Sequence, residues 1–503
     1  MELLKIGAII DNEPLLNDHR EEILSPADGH LVGHLYKSNI EDVKHAIDSA
    51  ESAFYGTWQS FTLRERKKLL LRLYERVLSK TDIYARLEAE NTGRTIRQST
   101  LMDVPVAVDH IHYFATEGQF KSKRRITHPD YPGTKGEVQY APYGVVAAIA
   151  PWNVPFLMAV WKTIPALLAG NTVVLKPSLH TPATAYELVK DMVESGFPRG
   201  VVNLVIGSGR EIGDELVSNR KVRMVSFTGS TKTGKEIMKT SASGVRKVVL
   251  ELGGKSPTIV FDDCDLKKTV NGVLFSIFLH MGQICEAGSR LIIQNSIKDK
   301  FLSLLRRGIE AMKDGNPMDM ETDIGAITTS DQLSKIRSMV ERGTQEGSKI
   351  YYSKKLRNVP ENGLFYPPTI LDNVSTNMSV YREEIFGPVL SVIGFNTERE
   401  AVEIANDTRY GLAASVWTRN TTKARRVGSR IEAGTIWINQ HHLPSAAAPR
   451  GGFKDSGVGR ELGLEGLMEY TQTRHLFIND RGIEFDDIAP ALVVSNQEFF
   501  EDL

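Results

Sequence analysis

Between residues 144 and 261 short β-branched runs alternate with helical stretches, and this alternation constrains the fold more than any other feature of the chain. GVVAAIA (144–150) reads as a buried strand, 157–168 as a helix and NTVVLK (171–176) as the next strand. VVNLVIG (201–207), VRMVSF (222–227), KVVLEL (247–252) and PTIVF (257–261) follow as strands. Apolar strands separated by helices belong to a parallel sheet covered on both faces. The expectation is a doubly wound α/β domain, which takes ligands at the carboxyl ends of its strands. A second α/β region is expected from about 255 to 450, with strands at SVIGF (391–395), SVWT (415–418) and GTIWIN (434–439) and helices at 297–312 and 331–345.

The first third reads as mainly helical, because Val43, Ala46, Ile47, Ala50 and Phe54 form one apolar stripe. Lys121, Lys123, Arg124 and Arg125 read as a solvated helix end rather than a binding patch, since the whole chain carries a net charge of only −1. That balance gives no general pull toward nucleic acid or an anionic membrane. The most apolar stretch, 143–170, is interrupted by Pro151, Asn153, Pro155, Lys162 and Pro165, which excludes it as a spanning helix. The amino terminus lacks a basic leader, and the two cysteines, Cys264 and Cys285, exclude a disulfide framework. The expectation is a soluble, cytoplasmic protein. The final stretch, 481–503, holds one basic and six acidic residues among several large apolar ones, too apolar a mixture for a plain disordered tail.

Seven segments have chemical potential. APWNVPF (150–156) offers the Asn153 amide just past a strand, a donor suited to a developing oxyanion. In KPS (176–178), Lys176 at a strand end can meet a hydroxyl or a phosphate, with Ser178 beside it. SFTGSTKTGK (226–235) turns at Gly229 into a helix starting near Ser230, whose free N–H groups suit a pyrophosphate, although the spacing is neither GxGxxG nor a P-loop. LELGGKSP (250–257) presents Glu251 as a general base. GQICEAGSR (282–290) sets Cys285 among small residues, where a thiol can form a thioester. Cys264, between acidic neighbours, is the poorer nucleophile. EEIFGPV (383–389) and PRGGFKDSGVGRELG (449–463) complete the set. Each alone has a plainer reading as a capping, ion-paired or solvated group, and a buried inert cysteine is the commoner case. No Cys/His cluster shows metal-ligand spacing.

Taken in order, these segments resemble the aldehyde dehydrogenase superfamily of the non-acylating type, over about residues 20–478. The resemblance implies a Rossmann-type NAD(P) domain (1–125 and 143–254), an α/β catalytic domain (255–455), a small β oligomerisation flap (126–142 and 470–480) and a carboxyl-terminal extension (481–503). It implies Cys285 as nucleophile, Glu251 as the base that activates the deacylating water, Asn153 as oxyanion donor and Lys162 in a proton relay. Lys176 and Ser178, Gly229 and Ser230 with Trp152, the turn ending at Gly209, and Glu384 with Phe386 would hold NAD or NADP. Met158 and Trp161, with Val154, would line an apolar substrate channel. Family members are homodimers or homotetramers. A CoA-acylating semialdehyde dehydrogenase generally lacks the base that Glu251 supplies, and a non-catalytic protein of this fold would have lost nucleophile, base or donor. Two departures bear on specificity. Leu179 stands where many NAD users carry glutamate, and with Arg210 it permits NADP. Arg450 stands where many relatives place phenylalanine, and is expected to pair either with a substrate carboxylate or with Glu286. His441 and His442 are expected to face opposite ways on a strand end.

Overall fold

The computed structural model describes residues 3–118, 122–131 and 134–479. The extension 481–503 therefore lies outside the described residues, as does Lys121 of the basic cluster.

Five of the expected strands form one parallel core: Val145–Ile149, Thr172–Lys176, Val202–Leu204, Val222–Thr228 and Lys247–Glu251. Numbered in sequence, their spatial order is 3-2-1-4-5, a doubly wound arrangement. The chain order reverses between the first and fourth strands, so the crevice at their carboxyl ends is the place for a ligand. All five residues of Val145–Ile149 and of Thr172–Lys176 are buried, as a sheet covered on both faces requires. The helix Pro155–Ala169 is buried along its whole length. It is apolar all round because it is sandwiched between this sheet and the helices Leu63–Leu78 and Val104–Thr116.

The third strand is shorter than the apolar run 201–207, because the chain turns away toward Gly207. Pro257–Val260 pairs with Arg290–Gln294 and Ala413–Trp417, so it belongs to the second sheet. That sheet has seven strands, all parallel except the edge strand Lys349–Ser353.

The amino-terminal third is not mainly helical from its start. Five short strands precede the helix Ile40–Tyr55, and two of them, Ala8–Ile10 and Glu13–Leu15, extend the first sheet at its edge. Lys123–Thr127 is a strand and not a helix end, so Lys123, Arg124 and Arg125 project from a three-stranded antiparallel sheet with Lys135–Pro142 and Thr471–Ile478. Lys123, Arg124 and Arg125 are all exposed, so neither face of this strand buries charge, which a helical reading of the basic cluster did not anticipate. No helix among the described residues is long and apolar enough to cross a membrane.

Candidate active site

The site lies where the carboxyl ends of the first sheet meet loops that enter the second. Glu251 is the last residue of its strand, and the chain then passes through Gly253 and Gly254 toward Pro257. Side chains at these glycines would collide with Glu384 and with the Cys285 carbonyl respectively, so both must lack a Cβ. Gly254 N–H donates to Glu384 Oε1 at 2.8 Å. The LELGG segment thus holds the Glu251, Cys285 and Glu384 segments against one another.

Asn153 is buried just past Val145–Ile149. Its Nδ2 donates to Gln283 O at 2.8 Å, two residues before Cys285. Gln283 is itself fixed: its Nε2 donates to His280 O at 3.1 Å and its Oε1 accepts from Thr328 N–H at 3.0 Å. Arg94 donates to the Asn153 carbonyl and to Asp103 Oδ2 at 2.5 Å, and His280 Nε2 lies 3.0 Å from Asp103 Oδ1. Arg94, Asp103, His280, Gln283 and Asn153 therefore close a buried ring. Burial opposes ionisation of Asp103, but the Arg94 guanidinium and His280 outweigh it and hold the carboxyl at about 2. His280 and Met281 both adopt left-handed backbone, at φ 48° and 54°, an uncommon state for non-glycine residues that this ring helps enforce.

Burial pushes the Cys285 thiol up to about 12, with Arg450 opposing and Glu251 reinforcing that shift. The thiol therefore needs a proton acceptor to become a nucleophile. Glu251 is buried with its Oε1 unpartnered. Burial, and then the neighbouring Glu461, push it well above the usual carboxylate range. An unpaired, poised carboxyl of this kind can exchange protons with a thiol or a water. Lys162 Nζ bonds Glu461 Oε1 at 2.6 Å and Ser226 Oγ at 3.3 Å, all fully buried. Cys264 is also raised, first by burial and only then by Asp263 and Asp265, so its acidic neighbours are a lesser cause than the sequence implied.

At the first sheet, buried Lys176 donates to Gly207 O at 2.8 Å, and burial lowers it to about 8. Ser178 Oγ accepts from His180 N–H at 3.2 Å. Gly229 N–H is held by Glu251 O at 3.0 Å, and Ser230 caps the helix Thr231–Ala242 by accepting from Thr233 N–H. Its free first-turn N–H groups face the crevice end of the sheet. Ser208 caps the turn that contains Gly209, and Arg210 is exposed there, while Leu179 packs half-buried on the core. Trp152 and Phe386 meet edge to face at 5.3 Å. A strand-end lysine, a capped helix start at the reversal of strand order and a carboxylate anchored on Gly254 fit a dinucleotide along this crevice.

On the other wall, Met158 and Trp161 are buried on the Pro155–Ala169 helix. Trp161 Nε1–H donates to His110 Nδ1 at 2.7 Å, and burial lowers His110 to about 4. Arg450 pairs with Glu286, the residue after the cysteine, and its guanidinium lies 5.3 Å from the Trp161 ring centroid. The expected pairing of Arg450 with Glu286 is formed. The histidines do not point apart. His442 has φ 57°, which breaks strand alternation, and its Nδ1 lies 2.9 Å from Glu286 Oε1, while His441 Nε2 lies 3.0 Å from Glu286 O. Among the described residues no group of three or more His, Cys, Asp or Glu could hold a metal ion.

The fold and this cleft define a nucleotide-dependent oxidoreductase with a half-buried thiol beside a poised carboxyl. The aldehyde dehydrogenase family model matches residues 16–476. The chain is 42% identical over 462 residues to a betaine aldehyde dehydrogenase of Bacillus subtilis (strain 168), covering 91% of this chain and 94% of that one. It is 40% identical over 467 residues to a (Z)-2-((N-methylformamido)methylene)-5-hydroxybutyrolactone dehydrogenase of Acinetobacter baylyi, covering 92% and 95%. A crystal structure of betaine aldehyde dehydrogenase from Staphylococcus aureus in complex with NAD+ superposes with a TM-score of 0.93 at 38% identity, covering 96% of each chain. The chain belongs to the aldehyde dehydrogenase family, and it oxidises an aldehyde to a carboxylic acid with NAD(P)+.

Arg94, Asp103, His280, Gln283 and Glu461 escaped the reading of the sequence. Arg94, Asp103 and His280 stand in no motif whose spacing signals chemistry, and Arg94 and His280 are 186 residues apart; Gln283 and Glu461 lie within GQICEAGSR and PRGGFKDSGVGRELG but nothing local marks their side chains.

Proposed function

We propose that Cys285 is the nucleophile, Glu251 the general base and Asn153 the oxyanion donor of this oxidation. The observation that carries this reading is the 2.8 Å bond from Asn153 Nδ2 to Gln283 O, which ties the amide donor to the cysteine loop. The Cys285 thiol gives its proton to the Glu251 carboxylate and its sulfur bonds the aldehyde carbon. The Asn153 amide and the Cys285 backbone N–H then stabilise the thiohemiacetal oxygen. Bound nicotinamide supplies the hydride acceptor for this chemistry. Glu251 hands on the thiol proton before water attacks and then takes a proton from water, whose oxygen attacks the thioester carbon; the C–S bond breaks, the acid leaves, and Glu251 returns its proton to the sulfur to restore the thiol. Glu461 and Lys162 pass the proton on from Glu251.

Lys176, Ser178, Gly209, Gly229, Ser230 and Trp152 bind the nucleotide half, and Glu384 with Phe386 the nicotinamide half. Leu179 offers no carboxylate against a 2′-phosphate, and exposed Arg210 can pair with one, so NADP is accepted along with NAD. The three-stranded sheet exposes Leu476, Phe477 and Ile478, which supports its role as an oligomerisation flap in a homodimer or homotetramer. Residues 1–125 with 143–254, and 255–455, serve as the cofactor and catalytic domains of a cytoplasmic enzyme.

Absorbance of the reduced dinucleotide tests the reading, with NAD and NADP, a panel of aldehydes and no CoA, beside Cys285→Ala. Turnover lost in the variant supports the assignment. Activity seen only with CoA would mean that Glu251 does not deacylate the enzyme, and silence with every pair would overturn the catalytic reading.

A further inference from the structure

The Arg450–Glu286 pair occupies the wall opposite the cofactor crevice, one residue from the nucleophile. Both side chains are buried. The guanidinium acts electrostatically on Cys285, Glu251 and His110. It also covers a face of Trp161. The Glu286 carboxylate is turned the other way, held by Arg450 and by His442 Nδ1, whose Nε2 reaches Ser276 O at 2.9 Å. The histidines around the pair are neutral near pH 7, since burial lowers His110 and His442 to about 4 and His441 well below its usual value. Burial also favours the neutral form of Glu251.

The consequences for a substrate follow from this arrangement. A quaternary ammonium group is recognised by open aromatic faces or a free carboxylate. Here the Trp161 face is already taken by a guanidinium, and Glu286 is already paired. An arriving cation finds neither a free carboxylate nor an open aromatic face there, and would give up its hydration without a partner. An arriving carboxylate meets a guanidinium whose charge is already neutralised. It would have to displace Glu286 and leave a buried carboxylate without its partner. An uncharged group meets neither penalty.

We propose that the Arg450–Glu286 pair is a charge filter, so that the channel to Cys285 takes aldehydes whose flanking group is uncharged and rejects both quaternary ammonium and carboxylate aldehydes. This rests on the reading of Cys285 as the nucleophile. It separates the chain from its 42%-identical relative, whose name gives a cationic substrate.

The test is the ratio of kcat/KM within isosteric pairs, followed by dinucleotide reduction. Betaine aldehyde is compared with tert-butylacetaldehyde, its neutral carbon isostere, and succinic semialdehyde with its methyl ester. The neutral member of each pair is expected to win by about tenfold or more, a modest part of the cost of burying a charge without a partner. Parity, or preference for a charged member, overturns the filter while leaving the oxidation intact. Failure to oxidise any of the four overturns the catalytic reading instead. In Glu286→Gln the uncompensated guanidinium is expected to raise the acid-to-ester ratio by about tenfold, and in Arg450→Met the freed carboxylate is expected to raise the betaine-to-isostere ratio similarly. Folded variants with unmoved ratios overturn the proposal, and if a variant does not fold, the ratios of the unaltered protein decide by themselves.

Discussion

The two walls of the cleft are built by different means. The wall proposed for the cofactor is made of strand ends and backbone: Gly229 and Ser230 at a helix start, Gly253 and Gly254 at a crossing point, and Lys176 on a main-chain carbonyl. The substrate wall is made of buried charges that meet from far apart in the chain, such as Lys162 with Glu461, 299 residues apart, and Arg450 with Glu286. A backbone wall is specified by the fold, and its close approaches at Gly253 and Gly254 leave no room for side chains. A wall of buried ion pairs is specified by partners, and removing one partner strands the other at a cost of about 3–5 kcal/mol. Substrate identity can therefore diverge while the cofactor crevice stays constant.

This comparison can be broken most severely at the nucleophile. Cys285→Ala is expected to lower turnover by on the order of 10⁴-fold or more, since a covalent step has no substitute. Cofactor affinity, followed by quenching of tryptophan fluorescence, should stay within about twofold, a margin far below one lost hydrogen bond. A large loss of cofactor binding would show that the two walls are not separable.

Glu251→Gln comes next, with a fall of about 10²–10⁴-fold in steady turnover, the usual contribution of a general base. If acylation survives better than deacylation, rapid mixing should reveal a burst of reduced dinucleotide. In the unaltered enzyme kcat should rise with pH through a value well above the ordinary glutamate range. The sign follows from the roles: only the carboxylate accepts a proton, and burial with Glu461 delays its formation to higher pH. A flat profile across neutral pH would remove Glu251 from the rate-limiting step.

Asp103→Asn probes the buried ring behind Asn153. Losing the charge that holds Arg94 and His280 should lower kcat roughly tenfold, the worth of one or so buried hydrogen bonds. The aldehyde KM should barely move, because the ring positions a donor used in the transition state. Equal changes in kcat and KM would instead indicate a loosened channel.

The smallest effect belongs to Lys176. Burial lowers it to about 8, so above that pH it loses the charge that favours a nucleotide. The KM for NAD or NADP should rise a few-fold between pH 7 and 9 in the unaltered enzyme, and Lys176→Met should abolish that dependence. A variant with the same pH profile would assign the titration elsewhere.

The sequence made the cofactor wall legible because its parts are local. An apolar run ending in Lys176, a Gly-Ser helix start at 229–230 and the Gly-Gly after Leu252 are each readable within ten residues. Asn153, Glu251 and Cys285, the proposed catalytic residues, also stand in short local segments. The strands at the amino terminus were missed because they are only three to six residues long and are stabilised by pairing with distant strands, as Ala8–Ile10 is with Val202–Leu204. Arg450 was visible as a departure, but its partner was open, since residue 286 lies 164 positions away and nothing in the order of residues fixes that distance.

By itself the sequence determined the alternation of strands and helices, hence a doubly wound sheet, and the residues at its strand ends. Periodicity and chain connectivity are one-dimensional properties, so they survive in the order of residues. Only the tertiary structure decided which buried charges meet: Arg94 with Asp103, Lys162 with Glu461, and Arg450 with Glu286. In a low-dielectric interior a charge persists only beside its partner, and that partner is chosen by packing in three dimensions.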